Sequence, residues 1–342
     1  MSRIPVACMG LGPIGSAIAR LAATRPELLL VGAIDADPGK IGRDVGDVIG
    51  LNRTLGLPVI GAPPVEGAAV VLHATRSRLA DVTPELEALV ATGVHVVSTC
   101  EELAFPFSRP ELAGRLDSAA RSAGRAIIGT GVNPGFVMDA LPVFLSGACA
   151  VVRHVSVLRV VDTSRRRRQL QEKTGAGLTP DAFREQVSIG RIRHVGLPES
   201  TWLIAVALGW ELDDVAETIE PVIAERTVAS SAVVVEPGYA AGVRQVCVGR
   251  ISGRELIRLE LQMALEVDAP RDEIVLDADP PIRLLIPGGI FGDTATAAIV
   301  VNAASRVSGL GAGLFTVLDL PPGSAIGEGA TSYGARAADE AS

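Results

Sequence analysis

The chain opens with a short apolar run, residues 4–10, that stops on a glycine. Behind it Ile14, Ile18 and Leu21 recur at helical spacing and Pro26 lies beyond them, which predicts a strand followed by a helix. The alternation continues. Residues 28–35, 68–75, 93–99 and 125–131 read as further strands, and the segments between them read as helices with recognisable ends. Thr83-Pro84-Glu85 offers a cap residue, a proline for the first turn and an acid at the positive end of the helix, with Gly93 as the stop. Ser108 and Glu111 have capping-box spacing before a run that ends at Gly124. Strands that are apolar on both faces and separated by helices predict a parallel, doubly wound sheet.

From about residue 150 the period changes to two. Residues 152–162, 229–238, 243–251 and 256–265 alternate apolar with polar, which predicts an antiparallel or mixed sheet with one solvated or interfacial face. Residues 198–210 read as a helix ending at Gly209. Residues 288–309 read as a glycine loop, a cap at Asp293 or Thr294, and a helix so apolar that it must be buried, against the first domain. The expected organisation is a first domain over 1–145, a second α+β domain over 146–287, a returning helix over 288–320 and a flexible, Gly-, Ala- and Ser-rich tail over 321–342. No internal repeat is visible.

Composition narrows the function classes. A chain of 342 residues that is 48% hydrophobic can bury two sizeable cores. A net charge of -8 and only 3% aromatic residues give neither a polyanion footprint nor a base-stacking surface, so nucleic acid is not an expected partner. Cys8, Cys100, Cys149 and Cys247 are scattered, and His73, His95, His154 and His194 lie far apart, so no metal site is expected. No segment has the length of a membrane span, and the N-terminal run is interrupted by Gly10, Gly12 and Pro13, so the expectation is a cytoplasmic protein with no membrane partner.

The first strand–helix junction carries chemistry. Gly10-Leu11-Gly12-Pro13-Ile14-Gly15 spells G-x-G-x-x-G: a glycine for the tight turn, a second for approach of backbone to a pyrophosphate, a third for helix–strand packing. Asp35 ends the second strand, twenty residues after Gly15, where a carboxylate binds a ribose hydroxyl. A Rossmann domain holding NAD(H) or NADP(H) is therefore expected. Asp35 and Asp37 favour NAD, while Lys40 and Arg43 leave dual use open. His73, Ala74, Thr75 and Arg76, at the end of the third long strand, are further candidates for the cofactor, with Cys100 and Asn133.

Taken together, "GLGPIGSAIA", "VLHATRS", "STCEELAFP", "GTGVNPGFVMD", "GLPES" and "GDTATAAIVVNA" resemble the group of native amine dehydrogenases and 2,4-diaminopentanoate dehydrogenase, whose nucleotide-binding domain is related to that of dihydrodipicolinate reductase. The resemblance runs in order from Gly10 to about Ser305. It implies oxidative deamination, or reductive amination in reverse, with a small carbonyl or amine and ammonia as substrates. It also implies a second domain that serves substrate binding and homodimerisation, and a catalytic glutamate in the "CEE" segment. Cys100, Asn133, Met138, Thr294 and Thr296 are the expected substrate contacts. A diamino acid substrate would want a further cation for its carboxylate, and Arg76, Arg165 or Arg168 are candidates, although the run from Arg165 to Arg168 also reads as a solvated loop. A non-catalytic dinucleotide sensor is the reading from another class.

Glu101 and Glu102 follow directly on a buried strand, where ligands of open α/β sheets sit. Adjacent side chains on extended backbone point to opposite sides, so one cleft takes only one of them. Glu101 is the first choice and Glu102 the alternative. A carboxylate there can expose the lone pair of an ammonium nitrogen, serve the leaving water and stabilise a cationic iminium. Cys100 as a nucleophile is the lesser reading.

Overall fold

The computed structural model describes residues 3–164, 168–325 and 327. They form two units, Met1–Val132 with Gly292–Ser342, and Asn133–Phe291. Residues 165–167, and the side chain of Arg168, lie outside the described residues, and so do the roles considered for that arginine run.

In the first unit the chain alternates as its pattern predicts: β1 (Ile4–Met9), α1 (Pro13–Ala22), β2 (Leu28–Ile34), α2 (Val45–Val48), β3 (Val59–Ile60), β4 (Val70–His73), α3 (Leu79–Ala91), β5 (His95–Ser98), α4 (Pro110–Ala123) and β6 (Ala126–Gly129). The second unit holds α5 (Ala140–Ser146), β7 (Val151–Asp162), α6 (Arg168–Lys173), α7 (Pro180–Ser188), α8 (Leu197–Ala207), β8 (Asp214–Ile223), β9 (Val228–Ala229), β10 (Val234–Val235), β11 (Ala240–Ile251), β12 (Arg254–Ala264), β13 (Arg271–Asp279) and β14 (Ile282–Pro287). The chain then returns to the first unit with α9 (Gly292–Ala304) and β15 (Gly313–Phe315).

The first sheet is parallel throughout, in the order β3-β2-β1-β4-β5-β6-β15. The direction of winding reverses between β1 and β4, the switch point where such sheets bind ligands. Helix α9 packs on α1. Its Ala297, Val300, Val301, Ala303 and Ala304 share one buried cluster with Ile18, Ala19 and Ala22 of α1. Burying the two valines alone is worth about 1.5–3 kcal/mol each, which is why so apolar a helix ends up here.

Three helix starts differ from the sequence reading: α9 begins at Gly292, which puts Asp293 and Thr294 inside its first turn and not at its cap. Helix α3 begins at Leu79, not near Thr83, and carries Pro84 inside it. Thr83 caps nothing; its hydroxyl donates to the Leu79 carbonyl. The carbonyl that Pro84 leaves without an amide partner belongs to Ala80, an exposed position. Helix α4 begins at Pro110 with no side-chain cap among the described residues, and Ser108 donates instead to the Phe105 carbonyl. Gly124 does end α4, in the left-handed conformation at φ 65°.

The second unit is built on a mixed sheet in the order β14-β13-β7-β12-β11-β8, in which only β7 and β12 run parallel. The register stacks Val155 on Ile257 and Leu276, and Val157 on Leu259 and Ile274, all buried. Helix α8 packs against β8, β11 and β12. The period-two alternation is the signature of this one-sided burial.

Candidate active site

The glycine turn leaves β1 at the switch point. Gly10 has φ 84°, and a Cβ there would lie 2.5 Å from the Ala74 carbonyl oxygen. A Cβ on Gly15 would lie 1.7 Å from the Gly10 carbonyl oxygen. Both positions demand glycine on internal grounds. Gly12 does not: its φ is -69°, and a Cβ there meets nothing within 4 Å. The open side of the turn is therefore at Gly12, the residue that stands at the N-cap of α1 and offers no side-chain cap among the described residues. Pro13 occupies the first helical position, so the amides of Ile14 and Gly15 face outward at the positive end of a ten-residue helix. Backbone donors and unfilled space at one place fit a pyrophosphate.

Asp35 is tied to this turn. Its Oδ2 accepts from the Leu11 N–H at 2.6 Å and from Lys40 Nζ at 2.9 Å, and its Oδ1 accepts from the Asp37 N–H at 2.9 Å. Lys40 Nζ also donates to the Leu11 carbonyl at 3.2 Å. Burial pushes the Asp35 carboxyl up, but the bonds from Asp37, Lys40 and Leu11 outweigh it and hold it below the ordinary aspartate value. The acid is thus a brace for the turn, and Lys40 adds a cation beside it that the sequence alone could only place nearby.

The two glutamates separate clearly. Both lie in a single 3-10 turn, Glu101–Ala104, that follows β5. Glu102 is 6% exposed; its Oε2 accepts the Leu79 N–H at 2.7 Å and its Oε1 accepts from Arg109 at 2.8 Å. Leu79 opens α3, so Glu102 is the cap that Thr83 was expected to supply. Glu101 is half-buried. Cys100 is 1% exposed, and its thiol donates to the Ser77 carbonyl. Burial pushes that thiol well up, so it is no nucleophile, and the expected contact with cofactor or substrate is corrected: its surface is closed.

His73 calls for the same correction. It was expected to approach the cofactor, but it has no exposed surface, and its ring nitrogens meet Ser98, Thr75 and Glu85. Ala74 and Thr75 are half-buried and Arg76 is exposed. On α9, Thr296 accepts the Val132 N–H at 3.3 Å, while Thr294 is exposed.

In the second unit Asn133 begins the "NPGFVMD" segment. It is 7% exposed, yet neither its amide nitrogen nor its amide oxygen has a partner. Such an orphaned carboxamide is what a ligand-binding group presents. Met138, expected at the substrate, is fully buried and cannot touch one. Its neighbour Asp139, which the sequence reading passed over, holds the segment: it accepts from Gly135 N–H at 2.8 Å, Ala140 N–H at 2.6 Å and Ser200 Oγ at 2.6 Å. The "NPGFVMD" and "GLPES" segments are thereby joined by one buried carboxylate, whose pKa burial pushes up. His194 was also missed as a functional candidate; its Nδ1 is buried and without a partner. Among the described residues no cluster of His, Cys, Asp or Glu can hold a metal, and no helix is long and apolar enough to cross a membrane.

The strand order and the open glycine turn define the first unit as a dinucleotide-binding fold. The model of the 2,4-diaminopentanoate dehydrogenase C-terminal domain matches residues 136–335. The chain is 30% identical to the 2,4-diaminopentanoate dehydrogenase of Acetoanaerobium sticklandii, over 95% of this chain and 96% of that one. It is 26% identical to an amine dehydrogenase of Streptomyces virginiae, over 93% of this chain and 96% of that one. The chain belongs to the 2,4-diaminopentanoate dehydrogenase family. Its fold is that of the amine dehydrogenase of Mycobacterium smegmatis, with a TM-score of 0.80 at 23% identity, covering 94% of this chain and 97% of that one.

Proposed function

We propose that the chain is an NAD(P)-dependent oxidoreductase acting on CH–NH2 groups, which aminates a small ketone or aldehyde with ammonia and runs the oxidative deamination in reverse. The observation that carries this reading is the place of the adjacent acids: in a chain of this family, Glu101 opens the 3-10 turn at the carboxyl end of β5 and is half-buried, while Glu102 caps α3 and pairs with Arg109. Bound NAD(P) supplies the hydride donor or acceptor. The chain's residues do the rest. The first-turn amides of α1 and the open side of Gly12 hold the pyrophosphate, and Asp35 with Lys40 meets the adenosine ribose. A carboxylate already neutralised by Lys40 repels a 2′-phosphate weakly, so both NADH and NADPH are accepted. Glu101 takes a proton from ammonium, returns one to the departing water, and faces the iminium with its negative charge while hydride is transferred. The Asn133 carboxamide offers both a donor and an acceptor to an amide or a substrate heteroatom.

A diamino acid substrate is the second reading, favoured by the family and by the 30% identical relative named for it. Homodimerisation and a cytoplasmic setting belong to the same proposal. The outward face of the six-stranded sheet carries Leu158, Val275 and Leu285 beside the Arg244–Glu260 and Arg283–Glu273 ion pairs, an apolar patch with a charged surround that suits a second copy.

The test is ammonium-dependent oxidation of NADH and NADPH with butanone and, in parallel, with an amino-keto acid. Turnover with butanone supports the amine dehydrogenase, and turnover confined to the amino-keto acid supports the second reading. Tight nucleotide binding with no ammonium-dependent turnover on either would overturn both in favour of a sensor.

A further inference from the structure

A chain of hydrogen bonds runs behind the Glu101 turn. Glu85 on α3 places Oε2 3.0 Å from His73 Nε2 and accepts from Thr75 Oγ1 at 2.7 Å. Thr75 Oγ1 also stands 2.9 Å from His73 Nε2. On the other side of the ring, His73 Nδ1 lies 2.8 Å from Ser98 Oγ, and Ser98 Oγ accepts the Cys100 backbone N–H at 3.1 Å. The donors decide the tautomer. A carboxylate only accepts and the one Thr75 proton goes to Glu85, so the ring hydrogen sits on Nε2 and Nδ1 accepts the Ser98 proton. Every member then has a partner, which is the condition under which a buried polar network stiffens its surroundings.

The network borders on Glu101. Cys100 is held by Ser98 through its N–H and by the Ser77 carbonyl through its thiol. On the far side, the Glu102 N–H also donates to the Ser77 carbonyl at 3.2 Å, and the Glu102 carboxylate is fixed at the start of α3. Glu101 lies between these two anchored neighbours. Glutamate, histidine and serine in this order match a hydrolytic triad, but Ser98 has no exposed surface and its oxygen already holds an amide, so no substrate reaches it. Burial pushes the Glu85 carboxyl up, but the bonds from His73 and Thr75, with the Arg76 charge, hold it below the ordinary value, so it accepts at neutral pH.

We propose that Glu85, His73 and Ser98 are positioning residues that set the direction of the Glu101 carboxylate through the Cys100 backbone. The inference rests on Glu101 as the acid/base group. Its physical content is that the peptide entering the turn is pinned by a side-chain chain rooted in α3, so the carboxylate is aimed by residues that touch neither substrate nor cofactor. A misplacement of about 1 Å at a reacting group costs about a hundredfold in rate.

The experiment compares Ser98→Ala, Glu85→Ala, Glu85→Gln and Glu101→Gln, with the double variant Ser98→Ala/Glu101→Gln, in ammonium-dependent NADH oxidation with butanone. The dissociation constant of NADH is measured alongside by fluorescence. Ser98→Ala and Glu85→Ala are expected to lower kcat by about ten- to a hundredfold, with the NADH dissociation constant within about twofold of the parent. Glu85→Gln keeps an acceptor for His73 and recovers most of the loss. The double variant is no slower than Glu101→Gln alone, because the network acts only through Glu101. Full activity of Ser98→Ala and Glu85→Ala beside a dead Glu101→Gln overturns the positioning role and leaves Glu101 standing. Losses that add in the double variant, or that appear in NADH affinity instead of kcat, overturn it as well. An active Glu101→Gln overturns the acid/base reading itself. Should Ser98→Ala fail to fold, the Glu85 pair carries the same decision at a partly exposed side chain.

Discussion

Replacing Glu102 by alanine is expected to separate stability from catalysis. The substitution leaves the Leu79 N–H without an acceptor at a residue with 0% exposure, and it breaks the ion pair to Arg109. An orphaned buried amide costs about 1–3 kcal/mol. The ion pair adds at most about 1 kcal/mol, since the Arg109 side chain is 48% exposed and water screens it. The sum is about 1–4 kcal/mol. For a unit of this size each kcal/mol lowers Tm by about 2–4 °C, so Glu102→Ala should melt about 2–16 °C below the parent. Its kcat at a temperature where it is fully folded should stay within about tenfold. Glu101→Gln should behave in the opposite way, with Tm little changed and kcat down by about a hundredfold or more from loss of the general base. Thermal melts by circular dichroism and steady-state rates on the same preparations check both. The reasoning is refuted if Glu102→Ala is dead while natively folded, because losing the anchor on one side of Glu101 accounts for about tenfold in rate and not for the loss of turnover.

Gly12→Val should fold, since a Cβ at Gly12 meets nothing within 4 Å, yet lose NADH binding by calorimetry; unchanged affinity would remove the turn from the cofactor site. Lys40→Met should raise the NADPH dissociation constant by about tenfold and leave NADH nearly unaffected, whereas Asp35→Ala, which removes the brace on Leu11 and Asp37, should weaken both; a loss restricted to NADH in Lys40→Met would contradict the pairing. His194 has its pKa lowered from 6.5 to about 4, first by burial and then by the Arg159 charge. The unfolded chain therefore takes up this proton at a higher pH than the folded one. Stability is complete above about pH 6.5 and falls by up to about 3 kcal/mol as pH drops toward 4, and His194→Gln should flatten that part of the Tm–pH curve. Identical slopes in the two proteins would show that the ring is solvated.

Periodicity and glycine placement determined the architecture, because they are local. Apolar runs between helical segments specify a parallel sheet covered on both faces, period-two alternation specifies a one-sided sheet, and Gly10 and Gly15 stand where any Cβ would collide with backbone. The place of the "CEE" turn at a strand end was also legible, but the extended backbone expected for the two acids was not found, because both lie in a 3-10 turn. What only the tertiary structure decided was which groups were already taken. Glu102 closes α3 from twenty-three residues away, His73 is sealed by Glu85 and Ser98, Met138 has no surface, and Asp139 ties two distant segments together. Helix ends moved for the same reason: Thr83-Pro84 has every local sign of a start, but a carboxylate from another loop serves the amide four residues earlier. A local pattern records what a residue is able to do. Hydrogen-bond satisfaction between parts of the chain far apart in sequence decides what it is left free to do, and that is settled only when the chain has folded.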